Sequence, residues 1–562
     1  MNLIHQPSGT MRLLSMLTVL LATAAASMAQ TNTGDYTASS PGPDAASVAS
    51  SATTNAVDYR LSGYGAGATN GVSVEATNLP AGAVRQLSLQ DCMQSALQQN
   101  LDLQIERTKP DVALFALRGD YGGYDPILNL RGQHDNSQFA QSFTTNGIPI
   151  PKGSSDDNQF SGGLGGLLPW GMDYNLYTFT PITDQYGSTF SANSLTNGHV
   201  LNSSFGSVAL QLTQPLLKNF WIDTTRLNIR VAKNRLKYSE LGLKFQIMQT
   251  VTTVEQAYFD LIFNRENVVV QQKALELAQR LVLENQKKLE VGTLAPLDLA
   301  QAQAQAEQSR AALIAASNQT AIQENKLKGL ITDQFSKWVD VALVPSGTLT
   351  ATHQVFNRQE GWSKGLTQRP DLLQAKLDVE KQGIQLKYDR NQLFPQLDVF
   401  GTYGYAGGGQ EFSDTLYQIQ QRTQPFYTYG GQITLPLANA SARNAVKSSK
   451  VTLQQLLLTL KQAEQNIMIA IDNDIKTVQA DYDQVLATRA QRQYEEQALD
   501  AEQKKLENGK STTYTVLQVQ RDLTTARGSE IQALDTYNKD LSQLSADEGS
   551  TLERLRINVQ MK

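Results

Sequence analysis

Hydrophobic and polar residues follow two alternating periods along this chain. Apolar residues at helical spacing predict one helix over residues 87–121 and another over residues 359–392. After each of these helices the period shortens to two, which predicts strands with one apolar and one polar face. Helical spacing resumes after Pro215 and Pro436 and continues to a glycine in each case. Each of these later helices is therefore predicted to be about 100 Å long.

The two halves of the chain repeat one arrangement. With an offset of 269 positions and no gaps, residues of the first half align with identical residues of the second. The matched pairs include Leu97 with Leu366, Asp102 with Asp371, Leu117 with Leu386, Pro126 with Pro395 and Gly132 with Gly401. A further helix follows each long one, over residues 296–331 and 512–555. We predict two tandem structural repeats, residues 86–331 and 359–556, joined by a connecting segment at 332–358.

The chain begins with a pattern typical of secretory signals. Arg12 precedes an apolar run over residues 13–26, which is shorter than the roughly 20 residues of a membrane-spanning helix, and small residues before position 30 provide a cleavage site. We expect residues 1–29 to be a signal peptide. Residues 30–85, rich in Ala, Ser, Thr, Gly and Asn, are expected to form a flexible low-complexity leader. Residues 557–562 are a C-terminal tail.

Composition excludes several classes of protein. A mean hydropathy of −0.34 excludes a polytopic helical membrane protein. A net charge of −5 gives no support to nucleic-acid binding. The single cysteine, Cys92, and four widely spaced histidines cannot form a disulfide framework or a Cys/His zinc site within the chain. We therefore expect no metal site.

The predicted strands are too few to close a sheet within one chain. In a bilayer, open strand edges leave backbone groups without hydrogen bonds, at a cost of several kcal/mol each. This favours a barrel that is shared between copies of the chain, with the long helices continuing into the periplasm. The alternative is a soluble periplasmic coiled-coil protein with a small capping sheet. Its helices require long apolar heptads, whereas residues 300–306 alternate alanine and glutamine.

Several motifs together resemble the TolC-like outer membrane efflux proteins, also called outer membrane factors, over residues 86–556. Each motif is short, but they occur twice and in the same order. The motifs are Leu87-Ser88-Leu89-Gln90-Asp91, Arg369-Pro370-Asp371-Leu372, Phe394-Pro395-Gln396-Leu397, the Gln-x-x-x-Pro-Leu pair that ends at Leu216 and Leu437, and Val291-Gly292-Thr293 followed by Leu297-Asp298.

The resemblance implies a mixed α and β membrane protein of the bacterial outer membrane. In such a homotrimer each copy gives four strands to a twelve-stranded transmembrane β-barrel, which continues as a long periplasmic α-helical barrel. The implied function is the exit duct of a tripartite efflux or type I secretion system for small molecules or polypeptides. Its partners are a periplasmic adaptor (membrane fusion) protein, an inner-membrane pump and outer-membrane lipid. The resemblance implies no catalytic residues and no cofactor; the alternative functions are a passive porin or the coiled-coil protein.

The resemblance also assigns residues to the periplasmic tip. Contacts with the adaptor are expected at the two turns between helices: Val291, Gly292 and Thr293, then Asn508, Gly509 and Lys510. From geometry alone, both glycines also suit the left-handed turn of a helical hairpin. A polar network and pore constriction are expected at Asp298, Ser511, Thr515 and Gln518. The ring at 511, 515 and 518 is expected to be neutral, and Pro215 and Pro436 mark the strand-to-helix turns.

The first repeat has a longer β segment than the second. Pro126 and Pro215 are 89 residues apart, whereas Pro395 and Pro436 are 41 apart. The surplus contains residues 160–179, which resemble a further hairpin. The sequence leaves two possibilities open, namely a hairpin outside the membrane or two added barrel strands per chain.

Overall fold

The computed structural model describes residues 84–140, 142–143, 149–150, 153–189, 199–292 and 295–557. The predicted signal peptide and residues 30–83 of the predicted leader lie outside the described residues, as does Thr293. The chain forms two compact units. A strand unit contains Gly119–Ile229 and Leu386–Val446, and a helical unit contains the described residues up to Arg118 together with Arg230–Gln385 and those from Lys447 onwards.

Helical and strand segments alternate along the chain. The strands are β1 (Val84–Leu87), β2 (Ile127–Phe139), β3 (Ser142–Phe143), β4 (Pro149–Ile150), β5 (Gly153–Leu167), β6 (Asp173–Thr189), β7 (His199–Pro215), β8 (Ala342–Pro345), β9 (Gln396–Gly409) and β10 (Gln424–Thr434). The helices are α1 (Leu89–Gln99), α2 (Leu101–Tyr121), α3 (Thr224–Glu290), α4 (Pro296–Ile331), α5 (Arg358–Gln368), α6 (Pro370–Asn391), α7 (Phe412–Gln421), α8 (Ala440–Glu507), α9 (Thr513–Asp547) and α10 (Thr551–Arg554).

Six strands form the main sheet of the strand unit. Their order is β10-β9-β7-β6-β5-β2, and every neighbouring pair is antiparallel. The resemblance implies four strands per chain, whereas this sheet has six, because the surplus of the first repeat supplies β5 and β6. Those strands pair with β2 and β7 within the same sheet, so they do not form a separate hairpin.

The long helices have the length that the sequence predicts. Helix α3 contains 67 residues and α8 contains 68, so each is about 100 Å long at 1.5 Å per residue. The first predicted helix is interrupted at Asn100, whose side-chain Oδ1 accepts a hydrogen bond from the Leu103 backbone N–H at 3.0 Å. This bond provides a helix N-cap for α2. Within the described residues, none of the helices combines the length and the apolar character that crossing a bilayer requires.

The helical unit has several buried clusters. The largest packs α1, α2 and α3 against β8, with Leu103, Val251, Val254 and Leu343 nearly inaccessible to solvent. A second joins α8 and α9 around Ile471 and Tyr537. Strand β1 pairs in parallel with β8, from Val84 with Ala342 to Leu87 with Pro345. Strand β1 therefore includes the last two residues of the predicted leader, Val84 and Arg85.

Candidate functional site

One face of the six-stranded sheet is apolar across all six strands. Residues that are paired across antiparallel strands lie on the same face, so the register defines rows of side chains. One such row consists of Leu128, Leu164, Leu176, Leu210, Tyr403 and Tyr427, from β2 to β10. At the two edges Leu128 is 62% exposed and Tyr427 is 73% exposed. Large apolar side chains in this position are suited to contact with lipid.

The opposite face carries a row of mostly small or polar side chains. The next row contains Gly165, Asn175, Gln211, Thr402 and Thr428, and only its β2 member, Ile127, is large and apolar. The Tyr177 hydroxyl, on the same face, donates a hydrogen bond to Gln211 Oε1 at 2.8 Å and so links β6 with β7. This face can line water, and the sheet thus separates an apolar from an aqueous side.

The strand-to-helix turns at Pro215 and Pro436 are held by asparagine side chains. Pro215 is the last residue of β7, and the following Leu216 N–H donates to Leu397 O at 2.8 Å. Asn391, only 7% exposed, accepts a hydrogen bond from the Asn219 N–H at 2.8 Å and donates to Leu217 O at 3.3 Å. The second turn is held by Asn439, whose Nδ2 donates to Leu393 O at 3.2 Å. Sequence reasoning identified the prolines and missed these asparagines.

The turn between β5 and β6 lies against the start of α3. Arg226 in the first turn of α3 donates from its guanidinium to Pro169 O at 2.6 Å. The same guanidinium carbon lies 4.8 Å from the centroid of the Trp221 ring. The β5–β6 turn contains Gly171, with φ of +87°, and an added Cβ there would come 3.0 Å from Asn219 O. The inner end of the added hairpin is therefore packed at the strand-to-helix turn.

Both helix-hairpin turns contain a glycine in the left-handed region. Gly292 has φ of +76° and Gly509 has φ of +69°. At the second turn the Gly509 N–H donates to Leu506 O at 3.1 Å and the Lys510 N–H donates to Lys505 O at 2.8 Å. These two bonds form a Schellman C-cap. Val291 is 74% exposed at the first turn.

A polar network surrounds the second turn. The Ser511 hydroxyl donates to Glu502, and Lys505 forms an ion pair with the same carboxylate at 2.8 Å. These two hydrogen bonds lower the pKa of Glu502. The Thr512 hydroxyl accepts from the Thr515 N–H at 3.3 Å and caps α9. Asp298 belongs to the other helix hairpin, where it lies in the first turn of α4.

The face of α9 that carries Thr515 and Gln518 also carries a carboxylate. The side chains of residues 515, 518 and 522 share one side of the helix because they are three and four positions apart. Gln518 donates from its amide to Asp522 Oδ1 at 3.1 Å, and both Thr515 and Gln518 are exposed. Position 522 lies outside the family motif, so the resemblance does not identify Asp522. The expected neutral stretch therefore ends one turn along, at this aspartate.

Two pairs of carboxyl groups join α8 to α9. Asp474 lies within hydrogen-bonding reach of Asp547, and Asp481 lies within reach of Asp540. Burial and the facing carboxyl group raise the pKa of Asp474 to about 7, and the same causes raise the pKa of Asp481 to about 7. Among the described residues Asp474 Oδ2 and Asp481 Oδ2 are buried and have no donor partner. Each pair therefore needs a shared proton to form its hydrogen bond.

The carboxyl pairs make stability fall as pH rises. Because the folded pKa of Asp474 and Asp481 is raised, the pairs support folding fully below about pH 4, and this support is lost by about pH 7. We expect the double variant Asp474→Asn, Asp481→Asn to have a higher Tm than the unaltered protein at pH 8 and a similar Tm at pH 4.5. The measurement is thermal unfolding followed by circular dichroism in detergent.

Asp472 is the matched control for this prediction. It lies on the same helix, but it forms ion pairs with Arg358 at 2.7 Å and Lys476 at 2.6 Å, and its hydrogen bond with Lys476 lowers its pKa. Asp472→Asn is therefore expected to give no gain in Tm at pH 8. Parallel pH profiles for the double variant and the unaltered protein would contradict the assignment.

The chain is similar in sequence to known outer membrane efflux proteins. Residues 183–332 and 362–549, more than half of the chain, match the family model for “Outer membrane efflux protein”. The chain is 24% identical over 356 residues to outer membrane efflux protein BepC of Brucella suis biovar 1 (strain 1330), a match that covers 63% of this chain and 74% of BepC.

Solved structures of outer-membrane channels share the fold. The OprN channel matches with a TM-score of 0.61 at 14% identity, over 82% of this chain and 90% of OprN. The open-state MtrE channel of Neisseria gonorrhoeae matches with a TM-score of 0.57 at 17% identity, over 88% of this chain and 95% of MtrE. At these identities the likeness establishes the architecture of the chain.

Proposed function

The chain belongs to the outer membrane efflux protein family, and from this premise we propose that it is the exit duct of a tripartite efflux or type I secretion system. It is an outer-membrane efflux channel with a periplasmic helical portion and is not an enzyme. The proposal rests mainly on one observation. A sheet with one apolar and one polar face occurs in the same chain as two helices of 67 and 68 residues. A passive pore has no need of such helices.

The proposed assembly is a homotrimer. Within the described residues the main sheet ends at β2 on one side and β10 on the other, and both edges carry exposed apolar side chains. Unpaired edges in a bilayer are unfavourable because lipid offers no hydrogen bonds. If β10 of one copy pairs with β2 of the next, the three sheets close into one transmembrane barrel without unpaired edges. The helices of the three copies then form the periplasmic tube, built from the two tandem repeats.

The proposed partners meet the helix-hairpin turns. A periplasmic adaptor contacts Val291, Gly292 and Thr293 at the first turn and Asn508, Gly509 and Lys510 at the second. The exposure of Val291 and the capped, solvent-facing geometry of Gly509 support this assignment. An inner-membrane pump supplies the cargo, which is a small molecule or a polypeptide.

Deletion and complementation test the proposed function. A strain that lacks the gene is expected to accumulate the pump substrate, and plasmid expression of the unaltered chain is expected to restore export only when the adaptor gene is present. The protein is expected in outer-membrane fractions as trimers that dissociate on heating. Restored permeation without the adaptor would indicate a porin and contradict the proposal.

The proposed constriction contains Asp522 in addition to Asp298, Ser511, Thr515 and Gln518. Three copies of Asp522 place a ring of negative charge one helical turn from the uncharged positions, and such rings attract cations. Asp522→Asn is expected to weaken block by hexaamminecobalt(III) in planar bilayers by roughly tenfold, about 1.4 kcal/mol. Thr515→Asp should change block in the opposite direction. Unchanged block in both variants would remove this face of α9 from the pore.

A further inference from the structure

Strands β5 and β6 are integral parts of the sheet. They contain 15 and 17 residues, whereas a tilted strand crosses a bilayer with about 9–11. The ladder from β2 to β5 is continuous, from Ile127 with Gly165 to Phe139 with Gly153. The ladder from β6 to β7 begins at the same inner end, with Asp173 paired to Thr213. The two strands therefore lie beside β2 and β7 along the height of the sheet and do not project beyond them.

The apolar row requires both strands. Leu164 on β5 and Leu176 on β6 occupy the places between Leu128 on β2 and Leu210 on β7. Without them the apolar face would be interrupted, and a hairpin outside the membrane would have no reason to continue it. The adjacent residue Asn175 faces the polar side, paired with Gln211. The alternation of β6 thus matches that of its neighbours, as in a barrel wall.

Packing between β5 and β6 is close at the glycines of β5. An added Cβ at Gly165 would come 2.7 Å from Asn175 Oδ1, and one at Gly166 would come 2.8 Å from the Tyr174 hydroxyl. Side chains of β6 therefore cover the backbone of β5, as aromatic residues do over glycines in curved sheets. At the inner end, the Arg226 bond to Pro169 O holds the turn at the level where α3 begins.

The even number of strands determines how copies of this chain can pair to close a barrel. The alternating directions make β2 and β10 run opposite to each other, so β10 of one copy can pair antiparallel with β2 of the next. One copy cannot close alone, because the smallest membrane barrels have about eight strands. Exposed apolar side chains lie at both edges, with Tyr427 on β10 and Leu128 on β2, so the apolar face of one copy would continue onto that of its neighbour. The occupant that fits each edge is a second copy of this chain.

We propose that all six strands of each copy cross the outer membrane, and that three copies close an eighteen-stranded barrel in place of the twelve strands that the family resemblance implies. This inference rests on the proposed trimeric duct. Barrel diameter grows about linearly with strand number, so the lumen would be about 1.5 times as wide as that of a twelve-stranded barrel. The barrel would then admit wider cargo than the family resemblance alone implies.

Cysteine accessibility tests the placement of β6. Leu176→Cys and Asn175→Cys are adjacent and face opposite sides, and Leu210→Cys on β7 is the reference for the apolar face. Intact cells are treated with a membrane-impermeant maleimide. The native Cys92 is fully buried, and burial raises the pKa of its thiol to about 12, so it adds no background. We expect labelling of Asn175→Cys and no labelling of Leu176→Cys or Leu210→Cys. Equal labelling at positions 175 and 176 would overturn the inference.

Electron cryo-microscopy of the full chain in lipid nanodiscs counts strands and copies directly. Eighteen strands from three copies would support the inference. Three copies with twelve strands in the bilayer would overturn it and leave the proposed function intact. Two copies sharing twelve strands, or a single copy outside the membrane, would overturn both.

Discussion

Gly404→Val is expected to abolish assembly of the channel in the outer membrane. Gly404 lies on β9, paired with Ala209 of β7, at the seam between strands of the first and second halves of the chain. An added Cβ would clash with Val208 O and would lie 2.6 Å from Ala209 Cβ and 2.8 Å from Ala209 Cα. Two of these atoms belong to the backbone and cannot move without breaking the ladder. The measurement is the amount of heat-dissociable trimer in outer-membrane fractions, which should fall to background.

Gly401→Val is the matched control for this substitution. Gly401 lies on the same strand, three residues earlier, and an added Cβ there meets nothing within 4 Å. It belongs to the apolar face, in the row that contains Leu212 and Tyr429, so valine suits its surroundings. We expect trimer at the unaltered level. Normal assembly of Gly404→Val would mean that the β7–β9 pairing differs from the one described.

Much of this architecture is readable from local periodicity. The long helices and the strands that precede them in the sequence are predictable because the hydrophobic period of each element lies in its own residues. Leu128 and Leu130 on β2 are an example. The break at Asn100 was missed because helical spacing continues on both sides of it. An asparagine side chain caps α2 there, and a capping residue changes the backbone without changing the apolar pattern.

The role of the longer β segment could not be decided from the sequence. Strand β5 has little alternation of its own, because glycines occupy positions 162, 163, 165 and 166. The position of β5 in the sheet follows from its pairing with β2 and β6. No local sequence pattern encodes the register of that pairing. The side chains that cover the β5 glycines, Tyr174 and Asn175, belong to the neighbouring strand β6.

The buried carboxyl pairs illustrate a similar limit. Within α8, Asp472 and Asp474 are two positions apart and face different directions, as the spacing predicts. Among the described residues, Asp472 forms ion pairs with cations, whereas Asp474 faces Asp547 on another helix. A partner more than seventy positions away is set by helix packing, which local spacing does not determine.

Val291→Glu is expected to abolish export while leaving trimer assembly unchanged. Val291 follows the last residue of α3 and is 74% exposed, so it makes few contacts that the folded chain depends on. If an adaptor covers this turn, a carboxylate beside Glu290 would be buried without a partner, and an unpaired buried charge weakens an interface by about 3–5 kcal/mol. Substrate accumulation in the complemented deletion strain should match that of the deletion strain, and copurification with the adaptor should be lost.

Val355→Glu provides the same change of charge away from the turns. Val355 is 89% exposed and lies in the segment before α5, in a part of the chain to which no adaptor contact is assigned. We expect it to retain export, adaptor copurification and trimer level. Export by Val291→Glu at the unaltered level would remove the first turn from the adaptor interface. An adaptor that covered this turn would bury the new carboxylate without a partner and would bind more weakly. Loss of export by both variants would instead indicate a general sensitivity to added negative charge.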